Sequence, residues 1–262
     1  MPNVEDPVGP TNESWTFIAA IAATVPRVRI GHLVNGNTYR YPPVTAKMAA
    51  GVDQISGGRL ILGLGAGWQE NEHAAYDIPF FDMPERLRRL DEACQIITGL
   101  FNDEKTSLDG RYYKISDAPL NPKPVQSPLP IMIGGGGEKV TLKIAAKYAN
   151  EWNVWGMPEV LEQKMAILDQ HCADVGRDPA EIQRSAAAML TLSDDPEVVE
   201  KAAAGGRPVI VGNAEQVRAI VQRYADIGVD EIIIPDFNMG ASVDEKKAVA
   251  DRFMNEVGST FR

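Results

Sequence analysis

The segment SGGRLILGLGAGW, residues 56–68, decides the fold, because it combines a helix end, a buried strand and a glycine-rich strand exit. The glycine pair at 57–58 suits the left-handed end of a helix. The apolar run from Leu60 to Leu64 has the length of a strand that is covered on both faces. Gly65 and Gly67 let a ligand approach the backbone closely. The segment therefore predicts a parallel α/β architecture with the chemistry at the exit of this strand.

Length and composition favour one globular domain that binds neither nucleic acid nor membranes. The 262 residues are 44% hydrophobic, which is enough for a single domain over residues 1–262. No run of about 18 apolar residues occurs, so no membrane span is predicted. The net charge is −10, and the lysines and arginines form no stripe, so nucleic acid and anionic membranes are not expected as partners.

The N-terminus and the two cysteines indicate the compartment. Residues 1–7 are polar and carry no basic start followed by an apolar segment, so we expect no signal peptide. Cys94 and Cys172 are far apart and fall in different predicted helices, which favours a reducing environment over a disulfide framework. The sequence therefore predicts a cytoplasmic protein.

Short apolar runs alternate with amphipathic stretches along the chain, a pattern typical of parallel strands joined by helices. Pro42-Pro43 opens one helix and Gly57-Gly58 closes it. Residues 103–129 are rich in proline and lack a helical period, which predicts a hairpin-like surface excursion. The predicted helices cover residues 14–25, 42–56, 84–101, 138–145, 160–175, 214–227 and a last stretch from 243, and the predicted strands cover 28–34, 60–64, 130–133, 152–155, 185–192 and 231–235.

Four consecutive glycines, Gly134 to Gly137, follow the strand at 130–133 and precede a helix. Such a turn exposes backbone N–H groups at a helix N-terminus, where an anion or a phosphate is favoured. A mobile turn is the other interpretation, but ordering four glycines costs conformational entropy. Neither this cluster nor the one at 63–67 has the spacing of a P-loop or a dinucleotide-binding fingerprint. We therefore expect a phosphate-bearing ligand, and a nicotinamide cofactor is disfavoured.

Polar residues near two strand exits leave alternatives open. The segment 35–41 is either an ordinary Asn-Gly turn or a ligand wall at the carboxyl end of a barrel strand. Glu70, Glu72 and His73 lack the helix-face spacing of metal ligands, so no metal site is predicted. His32 is interpreted as a hydrogen-bonded core or pocket-wall residue rather than a catalyst. No Gly-x-Ser-x-Gly elbow occurs, which disfavours a nucleophilic serine.

Taken together, a series of ordered motifs closely resembles the luciferase-like monooxygenase superfamily, and most strongly its branch that uses the deazaflavin coenzyme F420. The resemblance covers roughly residues 14–257, and so long an ordered set is more specific than any one motif. The motifs are RVRIG at 27–31, YRYP at 39–42, AKMA at 46–49, DQISGGR at 53–59, GLGAGW at 63–68, PIMIGGGG at 130–137, WNVWG at 152–156, GVDE at 228–231 and IPDF at 234–237.

The resemblance implies a fold, a cofactor and a set of contacts. The fold is a TIM-type (β/α)8 barrel that binds F420, or alternatively FMN, at the carboxyl ends of its strands and exchanges hydride with a small organic substrate. By position, a non-prolyl cis peptide is implied within residues 33–35, and Trp155 faces the substrate side. No catalytic residue can be assigned. The implied cofactor-binding residues are Leu33, Val34, Asn35, Gly65, Ala66, Gly67, Asn71, Gly134, Gly135, Gly136 and Gly137.

One departure from the family pattern concerns the beginning of the chain. Residues 1–13 have no counterpart of the family's first β-α-β elements, and six strands are predicted where a closed barrel has eight. Open strand edges need a cover, so we expect either a partner subunit, as in a homodimer, or a chain that is unstable alone. A flavin- or deazaflavin-dependent oxidoreductase or monooxygenase is the leading hypothesis. The alternative is a non-catalytic flavin-binding or scaffold protein that retains the glycine clusters.

Overall fold

Parallel strands and helices alternate through residues 9–261, the part of the chain that a computed structural model describes. The chain divides into two compact units, Met1–Glu151 and Trp152–Arg262. A single domain over the whole length therefore stays a prediction. Residues 1–8 lie outside the described part, and the expectations about a signal peptide and about the start of the family fold rest partly on them. None of the described helices is long and apolar enough to cross a membrane.

In the first unit, β3 is the central strand and runs parallel to β1, β2 and β6. The strands β4 and β5 form a separate antiparallel hairpin, which confirms the excursion predicted for residues 103–129. The elements are α1 (Ser14–Thr24), β1 (Ile30–Gly31), β2 (Asn35–Gly36), α2 (Pro42–Ser56), β3 (Leu60–Gly65), α3 (Glu70–Ala75), α4 (Met83–Asn102), β4 (Thr106–Asp109), β5 (Lys114–Ala118), β6 (Ile131–Gly134) and α5 (Thr141–Tyr148).

The segment that decides the fold forms the structure it predicts. The helix α2 ends at Gly57, whose φ of 68° is left-handed and whose N–H donates to carbonyls of the last turn. Leu60, Leu62 and Leu64 of β3 are fully buried. Asp53, also fully buried, accepts the N–H of Val125 at 2.8 Å and so ties the loop after the hairpin to α2. The exit of β3 is therefore held on a rigid, closely packed base.

Two predictions for the first unit are wrong in detail. The strand predicted at 28–34 is two short pieces, β1 and β2, because one extra residue interrupts the ladder: the chain advances from 31 to 35 while β3 advances from 61 to 64. Such an insertion is a bulge, which releases the intervening residues from regular pairing. The helix α3 lies in a segment predicted as loop, because its six residues are too few to establish a helical period.

The second unit contains two parallel strand pairs, β8 with β11 and β9 with β10. The strand predicted at 185–192 is wrong, since it is two strands with different neighbours. The N–H of Ala188 donates to Ile233, whereas that of Met189 donates to Pro208. Neither α7 nor β10 was predicted. The elements are β7 (Glu151–Trp155), α6 (Pro158–Val175), β8 (Gln183–Ala187), β9 (Met189–Leu192), α7 (Pro196–Ala203), β10 (Val209–Gly212), α8 (Ala214–Asp226), β11 (Glu231–Ile233) and α9 (Val243–Glu256).

Candidate functional site

A cavity of about 910 Å³ lies at the strand exits of the first unit. All three segments that the resemblance implies as cofactor contacts contribute to its wall. The volume is within the range of sites for small molecules and cofactors. Of the eleven implied residues, the cavity is lined by Val34, Asn35, Gly65, Ala66, Gly67, Gly134, Gly135 and Gly137.

The remaining implied residues lie elsewhere. Leu33 and Asn71 are exposed and do not line the cavity, and neither does Gly136. Trp155 ends β7 with 43% of its surface exposed, at the beginning of the second unit. Cofactor or substrate contacts of these four residues stay predictions.

Val34 is the point where the three segments meet. Its methyl groups pack where a Cβ would stand on two glycines: an added Cβ would lie 2.7 Å from Val34 Cγ2 at Gly65 and 2.8 Å from Val34 Cγ1 at Gly134. The Leu33–Val34 peptide bond is cis, as the resemblance implies. The absence of side chains at these two strand exits lets Val34 form an apolar floor of the cavity. The segments were therefore correctly predicted to converge.

Gly67 is fixed from two sides. Its φ of 82° is left-handed, and a Cβ on it would stand 2.6 Å from Thr38 Oγ1. On the other side, Arg86 Nη1 donates to the Gly67 carbonyl at 2.6 Å. The Arg86 guanidinium is buried and lies 4.1 Å from the centre of the Phe80 ring. Sequence reasoning missed Arg86, because nothing in the helical pattern of α4 distinguishes it from its neighbouring arginines.

His73 joins this wall as a fully hydrogen-bonded residue. Its Nδ1 lies 2.7 Å from the Gln69 carbonyl and its Nε2 lies 2.7 Å from Thr38 Oγ1. Because a carbonyl oxygen only accepts, Nδ1 carries the proton, and in the neutral ring Nε2 accepts from the Thr38 hydroxyl. The ring also contacts Tyr39 and Phe80, with centroids 4.5 and 4.8 Å away. His73 therefore packs the segment after β3 against the wall.

Tyr39 and Glu72 line the cavity next to this cluster. The Tyr39 hydroxyl donates to Glu72 Oε2 at 2.5 Å. Burial and this bond to a carboxylate raise the pKa of Tyr39 well above its ordinary value. The hydroxyl therefore keeps its proton at neutral pH. Of the two interpretations left open for residues 35–41, the geometry favours the ligand wall, since Asn35, Gly36, Tyr39 and Arg40 all face the cavity.

A further part of the cavity wall, near the start of α1, is polar. Glu13 caps α1 by accepting the N–H groups of Trp15 and Thr16, and Arg40 forms an ion pair with it. Burial raises the pKa of Glu13, but these interactions lower it by more than burial raises it, so that the pKa is about 2. Residues 11–14 line the cavity. Sequence reasoning missed this contribution, because a lone Glu before a helix signals only a cap.

His32 lies on this polar side and differs from His73. Its ring stacks on Trp15 with centroids 4.6 Å apart. Neither ring nitrogen of His32 nor Nε1 of Trp15 has a hydrogen-bond partner among residues 9–261, although all three atoms are buried. Burial lowers the pKa of His32, against the opposing influence of the Ser14 backbone, so the ring is neutral at pH 7. His32 lines the cavity, which fits the pocket-wall interpretation.

The four-glycine turn closes the cavity at the exit of β6. Gly135 has a φ of 127°, which favours glycine, and a Cβ on Gly137 would stand 2.7 Å from Thr141 Oγ1 at the start of α5. Thr141 also lines the cavity. The turn therefore presents backbone and one hydroxyl at a helix N-terminus, an arrangement that suits an anionic group. No group of three potential metal ligands occurs in the described part of the chain.

Comparison with known proteins places these features in one family. The family model described as luciferase-like monooxygenase matches residues 4–211. An F420-dependent glucose-6-phosphate dehydrogenase of Kineococcus radiotolerans is 33% identical, over 72% of this chain and 56% of its own length. An FMNH2-dependent dimethylsulfone monooxygenase of Pseudomonas putida is 27% identical, over 72% of this chain and 55% of its own length. The chain thus spans about half the length of these curated relatives.

A solved structure confirms the fold. The coenzyme F420-dependent tetrahydromethanopterin reductase of Methanopyrus kandleri superposes with a TM-score of 0.78 at 20% identity, covering 95% of this chain and 87% of that chain. A long-chain alkane monooxygenase superposes with a TM-score of 0.76 at 15% identity, over 95% of this chain and 74% of its own. The predicted α/β fold of the luciferase-like kind is therefore correct.

Proposed function

Because the chain belongs to the luciferase-like monooxygenase family, we propose that its cavity binds coenzyme F420 and that the protein is an oxidoreductase acting on a small organic substrate. The observation that carries the proposal is the contact of Val34 with Gly65 and Gly134. Because these two strand exits have no side chains, the Val34 methyl groups occupy the space there and form an apolar floor. A flat, heterocyclic ring requires such a surface. When bound, a deazaflavin or flavin supplies hydride transfer to or from the substrate at its ring.

The residues present fit such a group in three respects. The Val34 floor is apolar, the four-glycine turn offers N–H groups and Thr141 for a phosphate, and the wall formed by residues 11–14 and Arg40 is polar. Each feature matches a different part of a flavin-type cofactor: ring face, phosphate and polar ring edge. Val34 would support the ring, and Arg86 would hold the Gly67 carbonyl in place beside it.

FMN is the alternative cofactor, because relatives of both kinds occur. The glucose-6-phosphate dehydrogenase of K. radiotolerans is named F420-dependent, and the dimethylsulfone monooxygenase of P. putida is named FMNH2-dependent. F420 is preferred because the dehydrogenase is the more similar of the two, at 33% against 27% identity over the same share of this chain.

Titration of the purified protein with F420 and, separately, with FMN tests the proposal. We expect the ring fluorescence of F420 to change saturably with one site per chain, and FMN to bind more weakly. Tighter binding of FMN would reverse the cofactor assignment. The absence of a saturable response to either would contradict the proposal.

We also propose a homodimer in the cytoplasm that does not bind nucleic acid. Large apolar side chains are exposed along α1 and α2, among them Phe17, Val44 and Ile55, each about half exposed, which supports a protein partner. Cys94 and Cys172 are buried and free, which suits a reducing compartment. The net charge of −10 disfavours nucleic acid. Light scattering coupled to size-exclusion chromatography tests the dimer, and a monomeric mass would contradict it.

A further inference from the structure

We propose that the substrate is a largely apolar organic molecule that carries no negative charge and packs against Trp68, Tyr76 and Met83 in the cavity. This inference rests on the proposed function and deepens it, since it names the substrate class of the same site. It begins from three large side chains that line the cavity and are nevertheless exposed, Trp68 by 65%, Tyr76 by 63% and Met83 by 49%. Exposed apolar surface within a concave site is typical of a surface that a ligand covers.

The segment between α3 and α4 holds part of this surface in place. The ring of Phe80 packs against His73, with centroids 4.8 Å apart, and against the Arg86 guanidinium, which lies 4.1 Å from the ring centre. The side chain of Asp82 accepts the N–H of Glu85 at 2.8 Å and so fixes the first turn of α4. The tyrosine and the methionine at the two ends of this segment therefore stand on an anchored backbone, which lowers the conformational entropy that binding has to remove.

The shapes of the exposed side chains favour a ligand with a hydrocarbon or aromatic body. Trp68 and Tyr76 offer flat ring faces, which pack well against planar groups. Met83 is unbranched and flexible, so it can adapt to an irregular outline. Ile78 and Leu87 also line the cavity and add aliphatic surface. Contact with such a surface removes apolar area of the ligand from water, which is the main source of affinity for an apolar molecule.

The charges of the cavity wall disfavour an anionic substrate. Among residues 9–261, Arg40 is the one lysine or arginine that lines the cavity, and it already forms an ion pair with Glu13. Glu72 is a second carboxylate on the wall, and it accepts the Tyr39 hydroxyl. The four-glycine turn, the other place that suits an anion, is assigned to the phosphate of the cofactor. An anionic substrate would therefore face two carboxylates and lose hydration without gaining a cation of its own.

Binding of two matched probes, naphthol and naphthoate, tests the charge preference. Both have the same fused ring, and at pH 7 naphthol is uncharged whereas naphthoate is an anion. Isothermal titration calorimetry of the protein saturated with F420 or FMN should show saturable binding of naphthol, and naphthoate should bind at least about ten-fold more weakly. Equal or tighter binding of naphthoate would overturn the inference.

Variants of the exposed side chains test the contact itself. Because its indole is mostly exposed, Trp68→Ala should fold, and we expect it to bind naphthol about five- to ten-fold more weakly. Tyr76→Ala is measured in parallel with the same expectation, and Trp68→Lys, which adds a cation, should shift the preference toward naphthoate. Val125→Ala is the matched control, since Val125 is 52% exposed and does not line the cavity. Wild-type affinity for naphthol in both alanine variants of the cavity would overturn the contact.

The outcomes separate this inference from the proposed function. Titration with F420 and FMN precedes the probes, and if neither cofactor binds, the proposed function fails and the assignment of this surface to a substrate fails with it. If a cofactor binds but naphthol does not, only the substrate class is overturned. In that case, a smaller mass of Trp68→Ala than of the wild type by light scattering would assign the surface to a second copy of the chain.

Discussion

Two histidines of the first unit differ in their hydrogen bonding: His73 is fully buried, whereas His32 is partly buried and lines the cavity. On the side of α3, His73 has a partner for each ring nitrogen, Gln69 and Thr38. On the side of α1, His32 has a partner for neither within residues 9–261. The His73 ring is therefore held by its own hydrogen bonds, whereas the His32 ring is held by burial and by its stacking on Trp15. We expect a substitution of His73 to lower stability and a substitution of His32 to change how stability depends on pH.

The largest effect on stability is expected for His73→Phe. The new ring preserves the contacts with Tyr39 and Phe80, but it removes the partner of the Thr38 hydroxyl and the ring N–H that the Gln69 carbonyl accepts besides a backbone N–H. Unsatisfied buried groups cost about 1–3 kcal/mol, so the free energy of unfolding should fall by about 2 kcal/mol. Urea denaturation measures this loss. In the control His171→Gln the change should stay below about 0.5 kcal/mol, and an equal loss in both variants would refute the structural role of His73.

The next effect concerns the floor between the two walls. In Gly65→Ala the added Cβ would lie 2.7 Å from Val34 Cγ2, so Val34 must move and the floor deforms. We expect the cofactor affinity to fall by at least about ten-fold. Gly51→Ala is the control, since a Cβ at Gly51 of α2 meets no atom within 4 Å. Unchanged affinity in Gly65→Ala would show that the Val34 floor does not carry the ligand.

The smallest effect is a dependence of the free energy of unfolding on pH that comes from His32. Because burial lowers the pKa of His32 below its ordinary value of 6.5, the unfolded chain takes up a proton more readily than the folded one. The free energy of unfolding therefore falls as the pH drops from above 6.5 toward the folded-state pKa of His32. His32→Phe removes this contribution and should lose less stability than the wild type between about pH 7.5 and 5.5.

Glu13 does not obscure that comparison. Its pKa is lowered to about 2 from 4.5, so the stability it contributes is present above pH 4.5 and is lost only as the pH falls toward 2. Denaturation of the wild type and His32→Phe at several pH values measures the difference. Identical pH profiles for the two proteins would contradict a buried, neutral His32.

Much of the fold could be predicted because its signals are local. The stop of α2 at Gly57 and the buried strand β3 follow from a left-handed glycine and an apolar run. The division of 185–192 into β8 and β9 could not be predicted, because it depends on which neighbour each half pairs with. The bulge between β1 and β2 likewise depends on the register against β3, which the sequence of one strand does not contain.

The candidate site was predictable to a similar extent. Glycine clusters at strand exits indicate ligand contact, and eight of the eleven implied residues line one cavity. The difference between His32 and His73 was not predictable, since the partner of His73 that is close in sequence, the Gln69 carbonyl, is a backbone group that identifies no role. Hydrogen bonding to Thr38, 35 positions away, separates them, and only the tertiary structure supplies that contact.

The histidine ring signals in a two-dimensional NMR spectrum test the contrast between the two walls most directly. His32, His73 and His171 are the chain's 3 histidines, so His→Gln variants assign each signal. On saturation with F420 or FMN, we expect a large shift of the signals of His32, which lines the cavity, and little change for His73 and His171. Unmoved His32 signals in the saturated protein, or a shift of His73 alone, would contradict it.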